Sequence, residues 1–176
     1  MKKTVYFVTH GNKNPGPNPS MTDDGVEQVR KLRPQIPARP ALVVCGTGRR
    51  HLDVRHALGL ENAPTMWTPL VGGPESLEII SGQRMVMLAN GEPPIPRARY
   101  MDLSFYGESA LLIILNEVPD GTVICSGRPA VDTLTVKHAK SAAVYQVTFE
   151  DESLPLACDL NIKEVIALGE TEAHPV

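Results

Sequence analysis

Apolar residues in this chain fall into short continuous runs separated by stretches with helical spacing. "TVYFVT" (4–9), "ALVVC" (41–45) and "TVICS" (122–126) are unbroken apolar runs of strand length. That is the pattern of strands covered on both faces. "SAAVYQVTFED" (141–151) alternates like a strand, "EVIAL" (164–168) reads as a last one, and a short strand is predicted around Met66. Between these runs the period changes. "DDGVEQVRKLR" (23–33) opens with acidic residues, closes with basic ones and is stopped by Pro34, the charge order a helix dipole favours. "RRHLDVRHALGL" (49–60) reads as a helix closed by Gly59, and "ESALLIILNEV" (108–118) as another, with Glu108 complementing the dipole at its start. "PAVDTLTVKHAK" (129–140) is a helix with Pro129 in its first turn. A helix is expected from Glu78 to Leu88, inside a Pro/Gly-rich stretch at 62–100 that we read as an insertion. Alternating short strands and helices predict one α/β domain over 1–176: a three-layer α/β/α sandwich with a mostly parallel central sheet.

In such sheets ligands bind beyond the carboxyl ends of the strands. Three strand ends carry chemistry: Thr9-His10-Gly11, Cys45-Gly46-Thr47-Gly48-Arg49-Arg50, and Ser126-Gly127-Arg128-Pro129. Several standard devices do not fit them. The third glycine of a dinucleotide fingerprint would fall on His51, and no Gly-Lys-Ser/Thr ending makes a Walker loop. A cysteine-phosphatase loop needs an arginine six positions after its cysteine, where Cys45 meets His51 and Cys125 meets Val131. His10, His51, His56, His138 and His174 show no metal-ligand spacing, and no metal is expected. What remains is one imidazole, several guanidiniums, hydroxyls and glycine turns. That mixture suits phosphate: arginine grips its oxygens bidentately, and a neutral imidazole nitrogen can attack phosphorus.

Charge narrows the partners. The formal net charge is -3, so no general attraction to nucleic acid or to anionic membranes is expected. The longest apolar helix candidate, Ala110 to Leu115, is far too short to span a bilayer. "MKKTVYFVTHG" has the lysines of a signal peptide, but its apolar run is too brief, and we read it as the first strand. Cys45, Cys125 and Cys158 form no CxxC and are odd in number, as in a protein of the reducing cytoplasm.

Taken in order, these segments resemble the histidine phosphatase superfamily, which includes the cofactor-dependent phosphoglycerate mutases. That family opens on a strand ending in Arg-His-Gly, then a loop and Leu-Thr-x-x-Gly-x-x-Gln. "VYFVTHG" and "MTDDGVEQ" match this frame at His10, Gly11, Thr22, Gly25 and Gln28. "LVVCGTGRRHLDV" looks like the family's next strand, turn and arginine, with Arg50 the better match and Arg49 the other. "GESALLIILNEVPDGTVICSG" resembles its Gly-Glu-Ser helix and the strand that normally ends in a second His-Gly. The resemblance implies phosphomonoester hydrolysis through a phosphohistidine at His10, with no organic cofactor. Thr9, Gly11, Arg49 or Arg50, Ser126, Gly127 and Arg128 would bind phosphate. Glu75, in "LVGGPESLE", is either the general acid or a solvated loop carboxylate. The ligand would be a phosphorylated small molecule or a phosphoprotein.

Two departures stand out. The family's first arginine is Thr9, and its second histidine is Ser126. Removing one preorganised donor from such a site costs roughly 10²–10³ in rate. The sequence is therefore consistent with a slow or specialised phosphatase, or with a non-catalytic relative that binds a phosphorylated ligand or protein. A mutase is disfavoured, because it needs a well-stabilised phosphoenzyme. Arg128, two residues past Ser126, either supplies the charge Thr9 lacks or is an exposed loop arginine. Lys13 is a further candidate cation.

Overall fold

The computed structural model describes residues 1–16, 18–68, 70–72, 108–135 and 138–169. Its strands are β1 (Lys2–Thr9), β2 (Val43–Cys45), β3 (Thr65–Trp67), β4 (Val123–Ser126), β5 (Ala143–Glu150) and β6 (Asn161–Ala167). Its helices are α1 (Asp23–Arg30), α2 (Arg49–Ala57), α3 (described over 108–117) and α4 (Arg128–Leu134). The strands form one sheet in the order β3-β2-β4-β1-β5-β6. The first four run parallel, and β5 and β6 close the sheet antiparallel.

Strand period divides the apolar side chains between two cores. Val5 and Phe7 face one side with Val44 and Ile124; Val8 faces the other with Val43, Cys45, Val123 and Cys125. On the first side lie Leu111, Leu112 and Leu115 of α3 and Ala130, Val131 and Leu134 of α4. On the second lie Val29 of α1 and Val54 of α2, with Leu32 and Leu58 just beyond those helices. This is the expected three-layer sandwich with a mostly parallel sheet. Phe7, Leu32 and Leu115 are fully buried, each worth about 1.5–3 kcal/mol of transfer from water. Lys3 is buried too: its Nζ donates to the carbonyls of Leu115 and Asn116 at the end of α3 and pairs with Asp151 at 3.0 Å.

Three helices are shorter than their sequence patterns, α1 among them, which ends at Arg30 rather than at 33. α2 ends at Ala57, and Gly59 takes the left-handed conformation (φ +67°) that turns the chain away. The helix expected over 129–140 stops at Leu134. Thr135 is extended, and the Asp132 carboxylate accepts the Ala139 N–H at 2.6 Å. The helix expected over 78–88 lies outside the described residues, as does most of the 62–100 stretch.

Because β2, β4 and β1 are parallel neighbours, their carboxyl ends lie side by side. Thr9 is the register partner of Ser126, and Cys45 of Cys125. The loops beyond extend the ladder: Gly46 N–H donates to Cys125 O, Thr47 N–H to Gly72 O and Gly127 N–H to Val71 O.

Candidate functional site

His10 is fixed at the end of β1 from several directions. Its carbonyl accepts the Ala142 N–H at 2.8 Å. Ala142 adopts φ +45°, a left-handed conformation that is strained for a residue with a side chain. The ring Nδ1 lies 2.9 Å from the Gly11 carbonyl oxygen. A carbonyl only accepts, so Nδ1 carries the proton and Nε2 is left with its lone pair. Burial lowers the His10 pKa to about 3, with the positive charges of Arg50, Lys13 and Arg128 adding to it; the Gly11 hydrogen bond opposes them. The imidazole is therefore neutral at physiological pH.

The loop after His10 is locked to α1 by the residues that carried the resemblance. Thr22 Oγ1 caps the helix, accepting the Gly25 N–H at 3.1 Å, while Thr22 N–H donates to Asn12 O. Gln28 Oε1 accepts the Asn12 N–H at 3.1 Å. A Cβ on Gly25 would lie 2.2 Å from Asn12 O, and one on Gly11 would lie 2.5 Å from Gly25 O. Both glycines are there because two backbones touch. Met21 completes the lock: its sulfur accepts the Gly11 N–H, and its own N–H donates to Asp53 Oδ2.

Beside His10 lies a cleft of about 480 Å³, lined by Gly11, Asn12, Lys13, Arg128 and Ser141 among others. Arg128, at the start of α4, is only 6% exposed and faces this cleft. It is not the exposed loop arginine of the alternative reading. Arg50 is buried in the first turn of α2, close enough to both His10 and His51 to depress their pKa values, whereas Arg49 is exposed. Burial therefore distinguishes the two arginines.

The remaining predicted residues are placed as follows. Thr9 is fully buried, but its hydroxyl donates to Lys140 O at 2.7 Å and accepts the Ala143 N–H at 3.0 Å. It ties β1 to the loop before β5, and its one hydroxyl proton is committed there rather than offered to phosphate. Gly127 stands between Ser126 and Arg128 with its N–H donated to Val71 O. Ser126 is fully buried, and its Oγ has no hydrogen-bond partner among the described residues. Glu75 lies outside the described residues.

The sequence reading passed over His51. Its ring is fully buried, and neither nitrogen has a hydrogen-bond partner among the described residues. Burial, then Arg50 and His10, hold its pKa well below the ordinary value, so it too is neutral. The His10 and His51 rings meet edge to face with centroids 5.8 Å apart. Leaving a polar group unpartnered in the interior costs about 1–3 kcal/mol. Sequence offered one hint: His51 follows the closely spaced glycines of "CGTGRRH".

No family model matches the chain, and no curated protein matches it. Solved structures do. Mycobacterial hydrolase 1 is 13% identical and superposes with a TM-score of 0.61, over 96% of this chain and 99% of that one. A mycobacterial glucosyl-3-phosphoglycerate phosphatase is 11% identical with a TM-score of 0.58, over 97% and 100%. An Escherichia coli K-12 protein, provisionally an α-ribazole-5'-P phosphatase, is 13% identical with a TM-score of 0.58, over 88% and 96%. The likeness is one of fold, and it agrees with the three-layer α/β/α architecture expected from the sequence.

Proposed function

We propose that this protein is a phosphomonoester hydrolase of the histidine phosphatase type, with His10 as nucleophile. One observation carries the reading: a buried imidazole whose Nδ1–H is tied to the Gly11 carbonyl, leaving an unprotonated Nε2 beside a cationic cleft. The Nε2 lone pair forms the N–P bond as the ester P–O bond breaks. The phosphorylated ring becomes cationic, and the Gly11 carbonyl, already bonded to Nδ1–H, stabilises that charge. Arg50, Arg128 and Lys13 supply positive charge for the phosphoryl oxygens. The leaving oxygen takes a proton from an acid, a role for which Glu75 is the expectation. Water then attacks phosphorus, the N–P bond breaks, and phosphate leaves with His10 neutral again.

Arg128 takes over the charge that position 9 lacks: it is buried, lines the cleft and acts electrostatically on His10. If Arg128→Ala binds vanadate as tightly as the wild type, that assignment is dropped. The cleft suits a phosphorylated small molecule or a phosphorylated side chain of a protein. Cys45, Cys125 and Cys158 are free thiols, in keeping with a cytoplasmic protein. No helix among the described residues is long and apolar enough to cross a membrane.

The test is turnover of an aryl phosphate by wild type and His10→Ala, with acid-labile phosphate measured on the protein. Turnover should fall by at least about 10³-fold in the variant, and the phosphoprotein should vanish. A second reading, a pseudophosphatase that binds a phosphorylated ligand, draws on the committed hydroxyl of Thr9 and the serine at 126. It is favoured if vanadate binds while no phosphoester in a broad panel turns over.

A further inference from the structure

We propose that His51 is a second imidazole of the phosphoryl site, donating a ring N–H to the phosphoryl group that His10 attacks. The proposal rests on the phosphatase reading above and adds a residue to it from α2, a position where neither the motifs nor the strand ends called for one.

The packing around His51 separates it from an ordinary core residue. Three glycines on two segments pack against this ring. A Cβ on Gly46 would lie 2.9 Å from Nδ1, one on Gly48 also 2.9 Å from Nδ1, and one on Gly72 2.5 Å from Nε2. The ring's main chain is held as well: its N–H donates to Gly48 O, and its carbonyl accepts a weak hydrogen bond from the Cys45 thiol. Such a cradle fixes the orientation of a planar side chain while giving neither nitrogen a partner among the described residues. A leucine or phenylalanine would fill a purely structural space without burying two polar atoms.

The position points to an anion. Cys45 and Cys125 are register partners, so the turn leading to His51 and the Ser126 end of β4 are adjacent. Ser126 Oγ is the other neutral side-chain group there without a partner among the described residues. Arg50 precedes His51 and is itself buried. A centroid separation of 5.8 Å from His10 is short enough for a phosphoryl group carried on one ring to reach a nitrogen of the other. A neutral imidazole always keeps one N–H, so the donor is present at any pH at which His10 can act as nucleophile.

The experiment compares vanadate binding by calorimetry in wild type, His51→Phe and His51→Gln, with thermal melting of each. His51→Phe should bind vanadate about 10- to 100-fold more weakly and melt no lower than wild type, since it removes two unpartnered nitrogens. His51→Gln, which restores an N–H donor, should recover part of the affinity. In aryl phosphate turnover the phenylalanine variant should lose kcat rather than gain KM. Should it melt early, the wild type decides alone: its His51 ring N–H resonance must move when vanadate is added, and a resonance that stays still overturns the proposal. Vanadate binding by a folded His51→Phe equal to wild type removes His51 from the site but leaves the phosphatase reading standing. No vanadate binding by wild type removes the reading itself, and His51 with it.

Discussion

β1 and β4 are neighbouring strands that end on register-paired hydroxyl residues, yet their ends are finished differently. At the end of β1, Thr9 and His10 are held by the backbone of Lys140, Ala142 and Ala143 from another segment and by the adjoining Gly11. Beyond them, Asn12 is fastened to Thr22 and Gln28. At the end of β4, Ser126 has a buried hydroxyl with no partner among the described residues, and across from it His51 has two such nitrogens. One side is complete without a ligand and presents a nucleophile in a set orientation. The other holds donors that an anion would satisfy. An unpartnered buried group costs stability until a ligand satisfies it, so the contrast can be tested by stability and binding together.

The largest effect is expected on the finished side. Gly25→Ala puts a methyl 2.2 Å from the Asn12 carbonyl, in a contact of backbone with backbone that no side-chain movement relieves. It should destabilise the protein by about 3 kcal/mol in urea unfolding, in the upper range for overpacking. It should also lower vanadate affinity, because the loop lining the cleft shifts. A loss below about 1 kcal/mol would mean that the lock is looser than the hydrogen bonds imply.

Acidification should treat the two imidazoles alike, although they differ in partners. Both His10 and His51 have folded pKa values below the ordinary 6.5, that of His10 at about 3. Below pH 6.5 the unfolded chain binds protons that the folded chain does not. Stability therefore rises with pH through this window and is lost as pH falls. Each histidine contributes at most about 1.4 kcal/mol per pH unit, which for His10 amounts to about 2 kcal/mol between pH 6.5 and 5. Urea unfolding at pH 5.0 and 7.5 should show this slope, and His10→Phe and His51→Phe should each flatten it. A variant that leaves the slope unchanged identifies a histidine that is protonated in the folded state.

Much of this arrangement was legible in the sequence because strands and their ends are written locally. Unbroken runs such as "ALVVC" and "TVICS" located β2 and β4, and the residues following them located the chemistry. The motif from His10 to Gln28 was readable because close backbone contacts require Gly11 and Gly25 at fixed spacing. What could not be read is direction and engagement. Thr9 looked like a weak phosphate donor, but only the fold brings Lys140 and Ala143 to its hydroxyl. Arg49 and Arg50 are neighbours in sequence and part ways only in α2, one exposed and one buried. His51 sits in a polar stretch with little helical periodicity, and its cradle includes Gly72, which sequence does not place beside it. The early end of α4 is accompanied by a hydrogen bond from Ala139 back to Asp132, a contact made by folding.

The paired hydroxyls give the smallest effects and the sharpest contrast. Thr9 and Ser126 are register partners, both fully buried, and each can be replaced by a residue of similar shape without the hydroxyl. Thr9→Val removes the partner of both the half-buried Lys140 O and the buried Ala143 N–H, and should cost about 1.5 kcal/mol. Ser126→Ala removes an oxygen that bonds to no described residue. The desolvation penalty of that oxygen goes with it, so stability should change by no more than about 0.5 kcal/mol, and in the favourable direction. Vanadate affinity should respond the other way, nearly unchanged in Thr9→Val and weakened in Ser126→Ala. Equal destabilisation by the two substitutions would show that Ser126 is as fully engaged as Thr9. The division between a finished and a waiting strand end would then be lost, because the same hydrogen bond that stabilised Ser126 would also withdraw its proton from the anion.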